Sequence, residues 1–354
     1  MIKQNHTKIL LCITISLLLF FGCSPKSSQK RTSIAIFVPG IVSGSPVYEM
    51  LVTGVTDAIN RHNEVLQQNG KQNLVELSVF EAGTNQAEWS SKMTALVSSG
   101  LHDLIISSNP SLPDLIAPLT AQFPEQKFII LDAFYEGNNS IKTVRYNQRE
   151  QAWLCGYMAA ITTNAQKSEM PFANKHKKIA LIAAQEYPVM NNIILPGFIE
   201  GAQAFDKDID VEFRLVGNWY DASKASDIAH SLFSNGVDVI LPICGGASQG
   251  VIAAAKKLGF YITWFDNNGF AKAPENIISS SVIQQKKLAF ELTTEFLSGK
   301  IDYSIPKIVG IQDGYVDFIQ DDPIYIKTVH ESIRNLIAQK FDDIKTGKII
   351  LPSQ

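Results

Sequence analysis

The stretch DVILPICGGASQGVIAAAKKLGFYITWF, residues 238–265, decides the fold class. Its apolar run Asp238–Ile243 predicts a buried strand, Ser248–Leu258 predicts a helix after a glycine-rich turn, and Tyr261–Phe265 predicts a second strand. Two strands joined through a helix pair in parallel, with the helix crossing one face of the sheet. The stretch therefore reads as a βαβ unit, and we expect an α/β fold built on parallel sheets.

The same alternation of short apolar runs and amphipathic runs fills the chain on both sides of this unit. In the first half, strands are predicted at Ser33–Val38, Val75–Phe80, Asp103–Ser107, Lys127–Asp132 and Lys142–Tyr146, with helices at Pro46–His62, Gln86–Ser99 and Leu112–Phe123. The pattern restarts with a helix at Glu150–Thr163 and a loop at Asn164–Lys178. It continues with strands at Lys178–Ala184, Val211–Val216 and Ile277–Ile283, and helices at Val189–Phe205, Ala222–Ser234 and Gln285–Leu297. Two successive doubly wound α/β halves are the expected architecture.

The N-terminus has the pattern of a secretory signal. Lys3 and Lys8 precede an apolar core, Ile9–Phe21, of about 13 residues, which is shorter than the roughly 20 residues of a membrane-spanning helix. Leu19 to Cys23 resembles a bacterial lipobox in its looser spirochaetal form, with Phe20 where strict lipoboxes have an aliphatic residue. We expect residues 1–22 to be removed and Cys23 to carry lipid. The alternative is an ordinary signal peptide with an incidental cysteine.

The residues after Cys23 are predicted to form a flexible tether, residues 23–33, because they are small, polar and charged. This organisation predicts a protein anchored by lipid to the cell membrane, with its body in the periplasm or another extracytoplasmic space. The chain has 31 basic and 34 acidic residues and a net charge of −3, which gives no footprint for nucleic acid. Cys155 and Cys244 lie in apolar runs, so we expect buried free thiols; a disulfide between them is the alternative.

The loops that follow the predicted strands are rich in aromatic, amide, hydroxyl and carboxylate side chains. In parallel sheets, ligands bind beyond the carboxyl ends of the strands, so these loops meet in one cleft if two lobes face each other. The candidate ligand-binding residues are Tyr48, Ser108, Asn109, Asp132, Gln148, Gln185, Trp219, Tyr220, Gly245, Gly246, Asp266 and Asn268. Arg149 is the only basic residue close to them in sequence. Such a set suits a neutral, flat, hydroxylated ligand. The alternative is that the aromatic residues merely cover the core.

Catalytic patterns have little support in the sequence. The histidines are scattered and no metal-like spacing occurs. Glu186, Asp221 and Asp266 could form a general acid–base set, but hydrogen bonding to ligand hydroxyls explains them as well. The turn containing Gly245 and Gly246 could cradle a phosphate, although close approach of its amides to a neutral group fits better. We therefore predict a binding protein without catalytic residues, metal or cofactor.

Several segments together are similar to the basic membrane lipoprotein family. Phe123–Ala133 resembles the family's FPxxKFxxxDA segment, Tyr146–Glu150 its FxQxE segment, and Pro196–Gly201 its GFxxG helix. The runs Gly236–Ile240 and Cys244–Val251 resemble its GVDVI…AGGTGxGV pattern. Members of this family are substrate-binding proteins of ABC importers with a two-lobed fold of the periplasmic-binding-protein type I kind. The resemblance therefore implies a monomer that hands a small molecule to permease and ATPase subunits.

The resemblance also assigns ligand roles and lobes. Family members clamp a purine between two aromatic residues, which correspond to Tyr48 and to Trp219 or Tyr220, and hold the ribose with an aspartate that corresponds to Asp266. The family's ribose lysine lies close to Gln284, which we add to the site. The implied N-terminal lobe is 34–148 plus about 285–312, and the C-terminal lobe is 149–284 plus about 313–354. Hinge strands are expected near Gln148, Ser281–Gln284 and Ile311–Val316.

The departures from the family pattern concern the ligand. Gly44 and Ser45 replace an acidic pair, Glu49 replaces an asparagine, and Gln284 lies near the lysine position. A related group of spirochaetal lipoproteins binds riboflavin, whose larger ring and open hydroxylated chain fit more aromatic surface and fewer charges. We expect riboflavin as the ligand and a purine nucleoside as the alternative. A membrane-tethered nucleoside sensor and a nucleoside hydrolase are the rival classes.

Overall fold

The computed structural model describes residues 31–303 and 305–353, so the predicted signal peptide and Cys23 lie outside the described residues. The described strands form two six-stranded sheets. The first contains β1 (Ser33–Val38), β2 (Glu76–Glu81), β3 (Leu104–Ser108), β4 (Lys127–Leu131), β5 (Ile141–Tyr146) and β11 (Lys307–Val309). The second contains β6 (Lys178–Ala183), β7 (Asp210–Leu215), β8 (Val239–Ile243), β9 (Tyr261–Asp266), β10 (Ile277–Ile283) and β12 (Val316–Phe318).

The two sheets have the same strand order. It is β11-β5-β4-β3-β1-β2 in the first and β12-β10-β9-β8-β6-β7 in the second. Apart from β12, which runs antiparallel to β10, the strands pair in parallel. The predicted class, two doubly wound α/β lobes, is confirmed. In each sheet the chain reverses its direction of winding between the first and third strands, which is where such folds open a crevice for ligands.

Helices cover the faces of both sheets. They are α1 (Pro46–Gln68), α2 (Trp89–Ser98), α3 (Leu112–Gln122), α4 (Gln148–Asn164), α5 (Leu195–Phe205), α6 (Ala222–Ser234), α7 (Ser248–Leu258), α8 (Gln285–Leu297), α9 (Pro323–Thr328) and α10 (Glu331–Lys345). The helix predicted over Val189–Phe205 begins with a π-helical turn, Met190–Ile194. Pro196 has no N–H to bond one turn back, which favours the wider turn there. Across residues 31–303 and 305–353, no helix combines the length and apolarity needed to cross a membrane.

Helix α4 is buried along nearly its whole length and crosses α5 at very short range. A Cβ atom on Gly201 would lie 2.0 Å from the carbonyl oxygen of Trp153, and one on Gly156 would lie 2.0 Å from that of Phe198. Only glycine at these two positions lets the backbones approach so closely. The contact fixes α4, whose first turns lie beneath the ends of β9 and β10.

The chain passes between the two sheets three times, at Tyr146–Gln148, Ile283–Gln285 and Val309–Val316. These crossovers are bonded to one another. The Asn147 N–H donates to the Val309 carbonyl at 2.8 Å, and the Gln284 N–H donates to the Tyr315 carbonyl at 2.9 Å. They lie where the hinge strands were expected; the lobe boundaries themselves stay a prediction.

The two cysteines of the described residues are buried free thiols, as predicted. The Cys155 thiol donates to the Trp264 carbonyl at 3.8 Å, and the Cys244 sulfur lies 3.3 Å from the Ser248 hydroxyl. Burial raises the pKa of the Cys244 thiol to about 11, so this group stays protonated at neutral pH. Both cysteines therefore serve as packing residues.

Candidate ligand-binding site

Two aspartates occupy corresponding positions in the two sheets. Asp132 directly follows β4 and Asp266 ends β9, and these strands have the same place in the two strand orders. Both residues have a positive φ, 55° and 70°, a conformation that Asp tolerates better than most side chains. Burial raises the pKa of Asp266 to about 6. Burial, and then the nearby Asp266 carboxylate, raises the pKa of Asp132 well above its ordinary value. The two carboxylates are therefore close enough for one to influence the charge of the other.

Gln151, on the first turn of α4, supports Asp266 from below. Its side-chain amide donates to the Asp266 Oδ1 atom and to the Ser281 carbonyl, each at 3.4 Å, and the residue is fully buried. The hydrogen bond favours the ionised form of Asp266 and so opposes part of the effect of burial on its pKa. The sequence prediction missed Gln151 because it considered only the loops after strands. The one indication in the sequence was that Gln151 lies three residues after Gln148, a predicted site residue.

Tyr48 contributes an aromatic ring from the first turn of α1. Its hydroxyl donates to the Pro39 carbonyl at 3.2 Å, and the Asn109 side chain hydrogen-bonds to it. Burial raises its pKa strongly, and the Asp132 carboxylate and Tyr220 raise it further. Tyr220 belongs to the second half of the chain, so an electrostatic effect on Tyr48 means that the two halves approach each other at this site.

Trp219 forms a second aromatic surface, in the loop after β7. A Cβ atom on Gly245 would lie 3.2 Å from its ring, and the Ala247 N–H donates to its carbonyl at 3.1 Å. The Tyr187 ring lies 6.3 Å from it, tilted by 41°. The turn that contains Gly245 and Gly246 therefore packs against the indole of Trp219, a role that the sequence did not indicate. Tyr187 was missed as a candidate, although its position just after β6 was a signal.

The cation of the site is Arg145 and not Arg149. The guanidinium of Arg149 forms an ion pair with Glu200 on the neighbouring helix. Arg145, near the end of β5, lies close enough to Asp132 to lower the pKa of that carboxyl. Sequence proximity to the crossover pointed to Arg149, but residues in the first turn of a helix project in different directions, and Arg149 faces α5. Arg145 instead lies on β5, beside the strand that ends just before Asp132.

Several buried polar atoms of the site have no hydrogen-bond partner in the described residues. They are the Ser108 hydroxyl, the Asp132 Oδ1 atom, the Gln151 Oε1 atom and the Ser281 hydroxyl. Buried polar groups are normally paired with protein or water, and each one left unpaired is costly. A cluster of such groups beside two carboxylates is what a site completed by a ligand or by water requires.

The other predicted residues differ in how available they are. Gln148 is buried at the start of α4, while Gln185 and Gln284 are half-buried. Asn268 is exposed, donates to Asp322 at 2.9 Å and accepts from the Phe270 N–H at 3.1 Å, so its amide is engaged within its own loop. Asp221, one of the possible acids, caps α6 by accepting from the Lys224 N–H at 2.9 Å. Asp221 and Asp266, two acids of the possible catalytic set, thus have separate surroundings.

Comparison with known proteins identifies the family. Residues 31–349 match the family described as Bmp, ABC transporter substrate-binding protein PnrA-like. The chain belongs to the Bmp family. Basic membrane protein A2 of Borrelia garinii subsp. bavariensis is 25% identical, over 98% of this chain and 96% of that protein. The ABC transporter nucleoside-binding protein BmpA of Lactococcus lactis subsp. cremoris is 22% identical, over 82% of this chain and 83% of that protein.

Solved structures agree with this assignment at the level of the fold. An ABC transporter solute-binding protein from Aeropyrum pernix K1 superposes with a TM-score of 0.75 and 17% identity, over 91% of this chain and 94% of that chain. The predicted resemblance to the basic membrane lipoprotein family is confirmed. This Bmp-family protein is an extracytoplasmic substrate-binding protein of an ABC transporter, and its family is a family of binding proteins rather than of enzymes.

Proposed function

We propose that this Bmp-family protein captures riboflavin between its two lobes and delivers it to an ABC importer. The observation that carries the proposal is the combination of rings from both halves with a pair of carboxylates. Tyr48 comes from the first half of the chain and the Trp219–Tyr187 pair comes from the second. Asp132 and Asp266 come one from each half, and the Asp266 carboxylate raises the pKa of Asp132. A flat ring system stacks on such side chains, and offset stacking adds about 0.5–1.5 kcal/mol beyond burial.

The carboxylates give the hydroxylated chain of the ligand its partners. An ionised carboxylate accepts strong hydrogen bonds from hydroxyl groups, and Asp132 and Asp266 offer several acceptor positions. Half-buried Gln284 lies near the position at which the family resemblance implies a lysine. A site with two acids and one nearby guanidinium favours a neutral ligand rich in donors. Riboflavin has four chain hydroxyls, whereas a nucleoside has three.

A purine nucleoside is the second candidate. It is favoured by the name of the Lactococcus lactis relative, a nucleoside-binding protein. The same rings and carboxylates would clamp a purine and hold a ribose, so the shared chemistry does not separate the two ligands. Their size does, because the three-ring flavin needs a wider aromatic surface than a purine.

Titration of residues 24–354 with four compounds tests the proposal. Riboflavin fluorescence should be quenched on binding, because the flavin stacks on aromatic side chains. Lumiflavin, which lacks the hydroxylated chain, should bind more weakly, and flavin mononucleotide should bind more weakly still because its phosphate meets two aspartates. Calorimetry with inosine is the fourth arm. Inosine binding without any riboflavin response would contradict the proposal and favour the nucleoside.

We infer further that the protein is a monomer anchored through a lipidated Cys23, and that the ligand-bound, closed form is recognised by permease and ATPase subunits. Ligand shifts an open–closed equilibrium only through its different affinities for the two forms. Small-angle scattering should therefore report a smaller radius of gyration with ligand. Release of a free base from a nucleoside on long incubation would favour a hydrolase instead, and absence of transporter genes beside this one would favour a tethered sensor.

A further inference from the structure

We propose that Arg145 is a positioning residue that keeps Asp132 available as an acceptor for the ligand, and that residues 347–353 hold Arg145 in place. We call residues 347–353 the C-terminal strap. The ligand role rests on the proposed function, whereas the effect of Arg145 on Asp132 does not require a ligand.

The strap joins elements of the two halves. It leaves α10, where the Ile349 N–H donates to the Asp343 carbonyl at 3.0 Å. It then reaches the end of β5. There Arg145 Nη2 donates to the Ser353 carbonyl at 2.7 Å, and the side-chain amide of Asn147 donates to the Leu351 carbonyl at 3.4 Å. Helix α10 packs on α4 of the second half, while β5 belongs to the first sheet. The strap therefore crosses the hinge.

The guanidinium of Arg145 is fixed on two sides. It lies over the Phe134 ring, with 5.1 Å between the guanidinium carbon and the ring centroid, and its Nη2 atom is bonded to the strap. Its Nε atom is buried and has no hydrogen-bond partner among the described residues. The ring and the carbonyl are both neutral, so the charge of Arg145 is not consumed by an ion pair. Strands β4 and β5 pair with Leu131 opposite Val144, so Asp132 and Arg145 come next to each other at the ends of neighbouring strands. The charge of Arg145 is therefore available to Asp132.

Asp132 needs a cation because its other neighbours are acidic or neutral. The titratable groups that face it are Asp266 on β9, Tyr48 on α1, Tyr146 on β5, Tyr187 after β6, and Arg145. Burial and Asp266 favour the protonated form of Asp132, and Arg145 opposes them. A protonated Asp132 would present a donor to ligand hydroxyls and lose an acceptor position. The arginine thus sets which hydrogen bonds the site can make.

Carboxyl-carbon NMR of the ligand-free protein, labelled at aspartate, tests the electrostatic part. The Asp132 resonance is assigned by its loss in Asp132→Asn. Arg145→Met should raise the titration midpoint of Asp132 by about one pH unit or more. Arg145→Lys keeps a cation, so its midpoint should lie close to that of the wild type. Arg149→Met should leave the midpoint of Asp132 unchanged. An unchanged midpoint in Arg145→Met would overturn the proposal. If Arg145→Met does not fold, Arg145→Gln replaces it with the same expectation.

A double-mutant cycle tests the strap. Deletion of residues 351–354 should weaken riboflavin binding about tenfold in the wild-type background and have no further effect in Arg145→Met. The same loss in both backgrounds would show that the strap does not act through Arg145. If the wild type binds neither riboflavin nor inosine, the proposed function fails. The effect of the deletion is then measured by NMR. Deletion should raise the titration midpoint of Asp132 in the wild-type background and should not change it in the Arg145→Met background.

Discussion

Asp132 and Asp266 hold equivalent positions in the two sheets, each at the carboxyl end of the fourth strand of its half and each with a positive φ. The Asp266 carboxylate raises the pKa of Asp132, so the two sheets bring like charges together. Ligand-free protein must tolerate this repulsion, and hydrogen-bond donors on a ligand would relieve it. The arrangement therefore favours a lobe closure that depends on the ligand.

Asp266→Asn should stabilise the empty protein while weakening ligand binding. The folded-state pKa of Asp266, about 6, lies above its ordinary value of 3.8, so the ionised carboxyl lowers stability above pH 6. We expect a gain of about 1–3 kcal/mol in the free energy of unfolding at pH 8, which disappears as the pH falls toward 4. Urea denaturation at the two pH values measures it. Asp221→Asn, at a helix cap, is the control and should change stability little, because asparagine also accepts from the Lys224 N–H.

Trp219→Ala should weaken riboflavin binding by about 2–3 kcal/mol, because a large stacking surface is lost. Trp219→Phe keeps a ring and should retain most of the affinity. Gly245→Ala should also weaken binding, but by less, since its Cβ would lie 3.2 Å from the indole and shift it slightly, and its φ of 57° disfavours alanine. Fluorescence titration compares the three variants. Full affinity in Trp219→Ala would remove this side chain from the site.

Glu150 connects the first and third crossovers and should control hinge stability. Its Oε2 atom accepts from the Ile311 N–H at 2.7 Å, and burial raises its pKa to about 7. Glu150→Ala leaves that N–H unpaired and should cost about 1–3 kcal/mol. Glu150→Gln keeps an acceptor without the buried charge, so it should be more stable than wild type at pH 8.5 and similar at pH 5. Glu200→Gln, at an exposed ion pair, is the control; equal effects of all three variants would contradict the assignment.

Much of the architecture could be predicted because the hydrophobic pattern is strong. The predicted bounds of α6, α7 and α8 agree with the structure to the residue, since each has one apolar face and a clear start. No helix or strand was predicted for residues 317–354, although most of β12 and all of α9 and α10 lie there. Helix α10 buries only Ile333, Ile337, Phe341 and Ile344. Its surface is mostly polar, so its apolar stripe is narrow.

The candidate site could be predicted only in part. Asp132 and Asp266, at strand ends, and Tyr48, in the segment after β1, were within reach, because strand ends converge by topology. Gln151 and Arg145 were not, because one lies inside a helix and the other inside a strand. Their roles depend on which face of an element meets the other half of the chain. A local sequence pattern does not show which face of a helix or strand contacts the other half of the chain.

Gly201→Ala should destabilise the protein by about 2–4 kcal/mol and also weaken ligand binding. The added methyl group would lie 2.0 Å from the Trp153 carbonyl, so α4 and α5 must separate. Because α4 carries Gln151, its displacement would disturb the support of Asp266. Gln203→Ala on the same helix is the matched control and should change stability little. Thermal denaturation measures the first effect; wild-type stability in Gly201→Ala would show that the helices adjust freely.

Cys23→Ser should release the protein from the membrane. If Cys23 carries acyl chains, labelled palmitate should enter the wild type and Cys12→Ser, but not Cys23→Ser, and only the last should partition into the aqueous phase of a detergent extraction. Two or more chains hold a protein durably on a bilayer, whereas none leaves it free. Mass spectrometry of the mature N-terminus should find residue 23 first, with added lipid mass. An unmodified cysteine there would instead support an ordinary signal peptide.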